Sequence, residues 1–420
     1  MSERVHATYH IETAFPLDAA AAAMAGEQST GTFTRIAGET EQLRAAFGAK
    51  VERLAATGEV AAPSLPGAAV PGAAAKYHRA EVELSWPVAN MGPSLPNVLA
   101  TVAGNLFELQ QFSGMRLLDV QLPESFAHAY PGPQFGVVGT RRLCGVERGP
   151  LIGTIVKPSV GLSPAATAEL AASLAAGGID FIKDDELQAN GPHNPLAERV
   201  AAVMPVLNDH AQRTGKKVMY AFNITDEIDA MLRHHDTVLA AGGTCVMVSL
   251  NSVGLPGLAH LRKHCRLPIH AHRNGWGLFS RSPHVGMSYR AYQKFWRLAG
   301  ADHMHVNGLR NKFSETDAAV IESARECLKP MFALPGKGCE VLPVFSSGQT
   351  AAQVSDTYAA LGGADLLYTC GGGIAGHPQG VGGGVRSIRE AWEAAQRGVA
   401  LAEYAREHEA LRLALQQFRR

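Results

Sequence analysis

A chain of 420 residues is longer than one ordinary compact domain and fits a small domain followed by a barrel of about 250 residues. Hydrophobic residues make up 46% of it and charged residues 18%, a composition that excludes a disordered chain. Lys and Arg together number 38, as do Asp and Glu, so there is no net charge that would attract nucleic acid or an anionic membrane.

The cysteines and the N-terminal residues predict a cytoplasmic protein. The six cysteines are scattered, with no C-x-x-C pair, so we expect reduced and buried thiols. The opening residues MSERVHATYHIETAF are polar where a signal peptide carries an apolar core, and no apolar run reaches the ~18 residues of a membrane span. Neither a membrane nor a nucleic-acid partner is therefore expected.

The region before Gly149 predicts a small α+β domain of the ferredoxin-like kind, which we place at residues 1–145. A Pro-, Gly- and Ala-rich stretch over residues 61–75 interrupts it. The predicted elements are a helix near Asp18–Met24, a strand near Gly31–Ile36, a helix near Glu39–Leu54, a strand at Arg79–Ser85 and a helix that starts near Asn97.

From Gly149 onward, short β-branched runs alternate with Ala-rich helical stretches such as Pro164–Ala176 and Asp226–Ala241, which is typical of a parallel α/β fold. Eight βα units predict a (β/α)₈ TIM barrel over residues 146–420. Gly-rich Gly371–Gly384 then leads into a helix from Ser387 and a helical tail. The predicted strands are Ile152–Lys157, Ile179–Asp184, Lys217–Asn223, Cys245–Leu250, Leu267–His272, Asp302–Val306, Leu342–Ser347 and Leu366–Thr369.

The second barrel strand ends in a lysine followed by acidic residues. Alternation along a strand places Lys183 and Asp185 on the inward face, and Glu186 begins the loop. One interpretation is a structural ion-pair network. The other is that Lys183, desolvated at the barrel mouth, loses its proton and reacts with CO₂ to form a carbamate. Three anionic oxygen donors would then suit Mg²⁺.

The segment Gly177–Glu186, GGIDFIKDDE, resembles the signature of the RuBisCO family, and the resemblance extends from about Glu27 to about Gly384. It implies Mg²⁺ bound by carbamylated Lys183 together with Asp185 and Glu186. The first strand ends in TIVKP, which places Lys157 at the family's proton-transferring lysine.

The resemblance also implies a substrate pocket. His272 and Arg273 match the family's His-Arg pair, and His305 matches its substrate-contacting histidine. Buried core histidines would be the plain alternative, but His272, His303 and His305 at adjacent strand ends favour a polar pocket. Lys312 matches the lysine of a mobile loop that covers the substrate. The family's phosphate cradle matches Ser347, Gly348, Gly371 and Gly372, the last two where bare backbone N–H groups follow strand eight.

Three residues of the N-terminal region match positions that the family lends to the active site of a neighbouring subunit. These are Glu27, Thr32 and Asn97, with Asn97 among the catalytic positions. The resemblance therefore implies a homodimer, or a higher oligomer of dimers, with active sites shared between chains.

Differences from the family pattern argue against some of the family's functions. Ser159 replaces a second lysine, Trp276 replaces a histidine, and Phe33 replaces a tryptophan. The first two remove polar contacts to a distal phosphate, which argues against a genuine ribulose bisphosphate carboxylase. Asn97 stands where the methionine-salvage enolase branch carries a lysine base, and an asparagine cannot abstract a proton.

The preferred prediction is a RuBisCO-like, Mg²⁺-dependent decarboxylase or transcarboxylase/hydrolase of a 3-oxo sugar acid phosphate, of the 3-oxo-isoapionate 4-phosphate type. Cleaving a β-keto acid produces the same kind of enediolate that carboxylation uses, so most of the site could be kept. The alternative is an enolase or isomerase of a ketose phosphate, of the methylthioribulose or diketo-methylthiopentane phosphate type. Retention of Lys157, Lys183, Asp185, Glu186 and Lys312 argues against a non-catalytic binding protein.

Overall fold

The computed structural model describes residues 3–32, 34, 36–72 and 76–418. The chain divides into two compact units. Unit 1 comprises Met1–Tyr130 and Gly275–Trp296, and unit 2 comprises Pro131–Asn274 and Arg297–Arg420. The first change of unit thus comes at residue 130, one helix before the predicted boundary at residue 145. None of the helices over the described residues is long and apolar enough to cross a lipid bilayer.

Strands and helices alternate along most of the chain. The strands are β1 (Arg4–Thr13), β2 (Lys50–Val60), β3 (Tyr77–Pro87), β4 (Phe112–Gln121), β5 (Leu151–Ile155), β6 (Phe181–Lys183), β7 (Met219–Asn223), β8 (Cys245–Ser249), β9 (Ile269–His272), β10 (Val285–Met287), β11 (His303–His305), β12 (Leu342–Phe345) and β13 (Leu367–Thr369). The helices are α1 (Leu17–Glu27), α2 (Glu41–Phe47), α3 (Leu95–Ala103), α4 (Glu124–Ala129), α5 (Gly136–Cys144), α6 (Pro164–Ala176), α7 (Leu196–Thr214), α8 (Ile228–Ala240), α9 (Leu250–His264), α10 (Gly277–Ser280), α11 (Tyr289–Ala299), α12 (Asp317–Leu328), α13 (Val354–Leu361), α14 (Gly371–Ala375), α15 (Gly380–Gln396), α16 (Leu401–Tyr404) and α17 (Glu409–Gln417).

Unit 1 is built on a mixed sheet in the order β10-β4-β1-β3-β2. β1 runs antiparallel to both of its neighbours, whereas β10 pairs parallel to β4. Alternate residues of β1 are fully buried (Val5, Ala7, Tyr9 and Ile11), as the two-residue period of a strand requires. The Tyr9 hydroxyl donates to the Val102 carbonyl oxygen at 2.7 Å and so ties the sheet to α3.

Two predicted elements of this region were wrong, and four strands of its sheet were missed. The described residues of Gly31–Ile36 form no strand. The helix predicted over Glu39–Leu54 ends at Phe47, because Lys50 opens β2, which pairs with β3. Pairing in the sheet overrides local propensity in this mostly exposed strand. β1, β4 and the short β10 were not predicted either, although β1 alternates between apolar and polar residues.

Unit 2 is a closed barrel of parallel strands in the order β5-β6-β7-β8-β9-β11-β12-β13, with β13 paired back to β5. The predicted (β/α)₈ barrel is therefore confirmed. The helices after the last strand begin earlier than the predicted Ser387, at Gly371 and Gly380. Glycine is needed here for close packing, since a Cβ on Gly373 would lie 2.4 Å from the Gln349 carbonyl oxygen and one on Gly384 would lie 2.4 Å from that of Ile374.

Helix α5 closes the N-terminal end of the barrel. Cys144 at its end packs with the first residues of several strands, among them Leu151 and Phe181. Asp302 fixes the start of this helix, because its carboxylate accepts the backbone N–H of Gly136 at 3.0 Å. All six cysteines are free and buried, as predicted.

Candidate active site

The carboxyl ends of the barrel strands bring the predicted side chains together. Lys157 follows β5, and Lys183 ends β6. His272 ends β9, His305 ends β11, and Ser347 follows β12. Because the strands are parallel and the barrel is closed, these residues lie around one mouth of unit 2.

Lys183 is buried among acidic groups. Its side chain is 1% exposed, and its Nζ donates to the Asp184 carbonyl oxygen at 2.7 Å and lies 3.5 Å from Glu186 Oε2. Asp185 is equally buried, and its Oδ2 accepts from Lys157 Nζ at 2.6 Å. The structure thus brings the three predicted metal ligands together, with Lys157 beside them.

Burial and charge shift the pKa values of these groups. Burial lowers the pKa of Lys183, opposed by the charges of Glu186 and Asp185. Burial would raise the pKa of Glu186, but the nearby His272 and Lys183 outweigh it and hold that pKa at about 2. Burial, followed by the charge of Lys183, lowers the pKa of His272 to about 4. At neutral pH the centre combines the ionised carboxylate of Glu186 with the neutral imidazole of His272.

Buried residues that sequence reasoning missed fix the loop carrying these ligands. The Asp184 carboxylate pairs with fully buried Arg199 at 3.0 Å and accepts from the Tyr220 hydroxyl at 2.6 Å. The Asn223 side-chain amide donates to the carbonyl oxygens of Asp185 and Glu186 at 3.2 and 3.3 Å. No local sequence signal marks these residues, because their roles arise only when neighbouring strands pair.

The proton of His272 can be placed from its contacts. The backbone N–H of Asn274 donates to His272 Nδ1 at 3.2 Å, so the neutral ring carries its proton on Nε2. That nitrogen lies 3.5 Å from Glu186 Oε2. The ring also packs against His305, with centroids 4.5 Å apart.

Arg273 is held by the loop that follows β11. Its guanidinium contacts both carboxylate oxygens of Glu315, at 2.6 and 3.3 Å. The Asn307 amide also donates to Glu315 and accepts, through its Oδ1, from the Ser347 hydroxyl at 2.8 Å. Lys312 lies on the same loop, exposed, with its Nζ 5.2 Å from the Phe313 ring centroid.

One residue of the predicted phosphate cradle, Gly371, lies beside Lys157. Gly371 opens α14 so close to strand β5 that an added Cβ would meet Lys157 Cε and Ile155 at 3.6 Å, whereas the position at Gly372 is open. Gly348 follows Ser347, and both adopt positive φ, at 84° and 70°. Lys157 Nζ also donates to Ser159 Oγ at 2.7 Å, so the serine that replaces the family's second lysine contacts Lys157.

The remaining predicted residues belong to unit 1. Glu27 ends α1, and its carboxylate accepts from Asn105 at 3.5 Å. Asn97 lies in the first turn of α3, and its amide donates to the Met91 carbonyl oxygen at 3.1 Å. Thr32 lies in the chain after α1, and Phe33 lies outside the described residues.

Trp276 packs in an aromatic cluster of unit 1. Its ring lies 4.6 Å from that of Tyr292 and 5.6 Å from that of Tyr289, between centroids, and it is 6% exposed. The structure therefore gives this tryptophan a packing role in the segment that carries β10.

A second group of possible metal ligands lies on α8 and α9. Within the described residues, His235, Asp236 and His264 place their ligand atoms within 4.8 Å of one another. The backbone N–H of Arg266 donates to His235 Nε2 at 3.1 Å, so Nδ1 carries the proton and points to Asp236. A ligating imidazole normally donates through its second nitrogen, whereas this one accepts. The contacts fit a hydrogen-bonded link between the helices.

Comparison with known proteins shows the family to which the chain belongs. The family model of the ribulose bisphosphate carboxylase large chain N-terminal domain matches residues 2–126, and that of the catalytic domain matches residues 136–418. The chain is 56% identical over 415 residues, 99% of both chains, to a 3-oxo-isoapionate-4-phosphate transcarboxylase/hydrolase from Xanthobacter autotrophicus. It is 45% identical over 413 residues, 98% of this chain and 97% of the other, to a 3-oxo-isoapionate-4-phosphate decarboxylase from Rhizobium rhizogenes.

A crystal structure of a rubisco-like protein from Burkholderia fungorum has the same fold. It matches with a TM-score of 0.92 and 47% identity, over 99% of this chain and 100% of the other. The chain therefore belongs to the ribulose bisphosphate carboxylase large-chain family and is similar to its RuBisCO-like members.

Proposed function

We propose that the protein is a Mg²⁺-dependent enzyme that cleaves a carbon–carbon bond in a 3-oxo sugar acid phosphate of the 3-oxo-isoapionate 4-phosphate type. The observation that carries this proposal is the buried Lys183 with Asp185 and Glu186 at one strand end and Lys157 hydrogen-bonded to Asp185. The two relatives at 56% and 45% identity bear names of this chemistry, one as a transcarboxylase/hydrolase and one as a decarboxylase.

The residues at the centre fit Mg²⁺ and a lysine carbamate. Burial favours the uncharged amine of Lys183, which is the form that attacks CO₂ and releases a proton on forming the carbamate. The carbamate of Lys183 with the carboxylates of Asp185 and Glu186 would hold the ion through oxygen atoms, which Mg²⁺ prefers. When bound, Mg²⁺ stabilises the negative charge that develops on adjacent substrate oxygens.

The other residues bind the substrate and move protons. As the carboxyl group departs, the electron pair of the broken bond remains as an enediolate, and Lys157 Nζ delivers a proton to its carbon. Arg273 holds an anionic group of the substrate, while Ser347, Gly348, Gly371 and Gly372 receive the phosphate. Lys312, exposed on its loop, covers the bound substrate and excludes water.

The fate of the substrate's carboxyl carbon tests the proposed reaction. Substrate labelled with ¹³C at the carboxyl carbon should yield labelled CO₂ if the enzyme is a decarboxylase. Two acid products, of which the phosphorylated one carries the label in its carboxylate, indicate carboxyl transfer followed by hydrolysis. Either result supports carbon–carbon cleavage. A single product that retains every carbon would overturn it and favour the isomerase alternative, for which Lys157 is the available base.

We also propose that the active enzyme is a homodimer or an oligomer of dimers, in which Glu27, Thr32 and Asn97 of one chain complete the site of its partner. The support is that unit 2 carries the metal-site residues while these three lie in unit 1 and match family positions shared between subunits. Heterodimers of Asn97→Ala and Lys183→Met chains should regain one intact site per dimer. No activity in verified heterodimers would show that each chain is self-sufficient.

A further inference from the structure

Three buried histidines form a hydrogen-bonded chain inside the barrel. His303 Nε2 lies 2.8 Å from Thr140 Oγ1 on α5, and His303 Nδ1 lies 3.3 Å from His270 Nδ1. His270 Nε2 lies 2.8 Å from His305 Nε2, and His305 Nδ1 lies 3.1 Å from Ser346 Oγ. Each of the five residues is at most 6% exposed, so the chain joins the floor of the barrel to its mouth away from water.

All three rings are neutral at physiological pH. Burial lowers the pKa of His303 to about 3. Burial also lowers the pKa values of His270 and His305 well below the ordinary value, and the neighbouring histidines lower them further. A neutral imidazole carries one N–H donor and one bare acceptor, so each nitrogen-to-nitrogen contact needs one of each.

Thr140 sets the direction of hydrogen-bond donation along the three histidines. Its hydroxyl makes a short hydrogen bond to the Gly136 carbonyl oxygen, one helical turn back along α5, and its single proton is used there. Towards His303 it can therefore only accept. Asp302 holds this turn in place, because its carboxylate accepts the backbone N–H groups of Phe135 and Gly136.

We infer that all hydrogen bonds of the histidine chain point in one direction, with the protons on Nε2 of His303, Nδ1 of His270 and Nε2 of His305. Each assignment follows from the one before, because a ring that donates at one nitrogen must accept at the other. The bare Nδ1 of His305 then accepts the hydroxyl proton of Ser346.

The consequence is that a threonine at the closed end of the barrel positions a histidine at the mouth. Both ring nitrogens of His305 are engaged within the protein, because Nε2–H donates to His270 and Nδ1 accepts from Ser346, so this ring orients Ser346, next to the cradle residue Ser347. Thr140, His303 and His270 are positioning residues. The role of Ser347 in phosphate binding rests on the proposed function, whereas the proton positions rest on contacts of the resting protein alone.

Neutron diffraction from crystals of the perdeuterated, substrate-free protein at neutral pD tests the inference without an activity assay. We expect deuterium on Nε2 of His303, Nδ1 of His270 and Nε2 of His305. Deuterium on Nδ1 of His305, or on both nitrogens of any of the three rings, would overturn it. Failure of the proposed reaction would leave this result untouched.

Thr140→Val, with Thr140→Ser as the matched control, tests where this direction comes from. Valine has nearly the same shape but offers no acceptor, so both directions become accessible, and ¹⁵N NMR of ring-labelled histidine should show a mixture of protonated and bare Nδ1 at His305. Serine should keep the single wild-type form. A wild-type pattern in a folded Thr140→Val protein would refute the role of Thr140, and if valine prevents folding the neutron result decides.

Discussion

The guanidinium of Arg273 and the carboxylate of Glu315 form a two-point ion pair at the mouth of the barrel, with N–O distances of 2.6 and 3.3 Å. Glu315 follows Lys312 on the loop after β11, and Arg273 is 5% exposed. The carboxylate thus occupies the position at which an anionic group of the substrate would bind Arg273. Such a group must displace Glu315, and the displacement would release the loop.

Glu315→Gln should therefore lower the KM of the anionic substrate by roughly three- to tenfold. The reason is that the Glu315 carboxylate competes with the substrate for Arg273, and its charge contributes about 1 kcal/mol to that interaction. Arg273→Ala should raise the KM instead. Steady-state kinetics on both variants measure this, with exposed Glu227→Gln as the control. An unchanged KM in Arg273→Ala would place that residue outside the site.

Lys183→Met should abolish Mg²⁺ binding together with activity, because the variant can form no carbamate. Isothermal titration with Mg²⁺ in bicarbonate buffer measures the affinity, and exposed Lys50→Met is the control. If Lys183 were only part of a structural ion-pair network, its replacement would mainly lower the melting temperature. Unchanged Mg²⁺ affinity in the variant would end the carbamate hypothesis.

Asn223→Asp should weaken Mg²⁺ binding by about 10- to 100-fold, the usual effect of losing a group that orients metal ligands. The substitution keeps the shape but turns a carboxylate oxygen towards the carbonyl oxygens of Asp185 and Glu186, which the amide now binds. The same titration measures it, and the substitution Asn208→Asp, at an exposed position of α7, is the control. Equal affinities for both variants would refute a positioning role of Asn223.

Lys312→Ala should lower kcat at least tenfold and leave the melting temperature within about 1 °C, because an exposed lysine contributes little to folding. Kinetics and thermal unfolding of the same preparation check both parts. Lys263→Ala, in the last turn of α9, serves as the control. A large loss of thermal stability would make Lys312 a packing residue instead.

Glu12 should make the stability of unit 1 depend on pH. Burial would raise its pKa, but hydrogen bonds from Ser113, Ser64 and Arg79 outweigh burial and lower the pKa from 4.5 to about 2. A lowered folded-state pKa means that the stabilisation is complete above about pH 4.5 and is lost as the pH falls towards 2.

Glu12→Gln should accordingly destabilise unit 1 by about 1–3 kcal/mol at pH 7 and by much less near pH 2.5. Urea unfolding at the two pH values measures the difference from the wild type. Exposed Glu124→Gln should cause no such pH-dependent loss. A constant difference across pH would mean that packing of Glu12, not its charge, is what matters.

The barrel could be predicted from sequence because its signals are local. The buried strands end in residues such as Lys183 and His272. In a closed parallel barrel the carboxyl ends of all strands lie at the same mouth. The supporting residues could not be predicted. Asn223 at the end of β7 and Arg199 in α7 both bind the loop that follows β6. The residues next to them in the sequence do not indicate this role.

Unit 1 was harder to predict for a related reason. Lys50–Val60 has few buried side chains, so its strand is defined by pairing with β3 and not by an apolar pattern. Trp276, four residues after His272, was interpreted as the replacement of a histidine that contacts a distal phosphate. The structure packs it with Tyr289 and Tyr292, because the chain leaves the barrel at that point.

This departure of the chain has a practical consequence for dissecting the protein. The segment Gly275–Trp296 supplies the edge strand β10 to the sheet of unit 1, where Arg116 donates to the carbonyl oxygens of Ser282 and Met287. No single cut therefore yields two intact pieces. A fragment ending at residue 130 would expose the unpaired edge of β4, and one beginning at residue 131 would carry an aromatic segment without its sheet, so both would tend to aggregate.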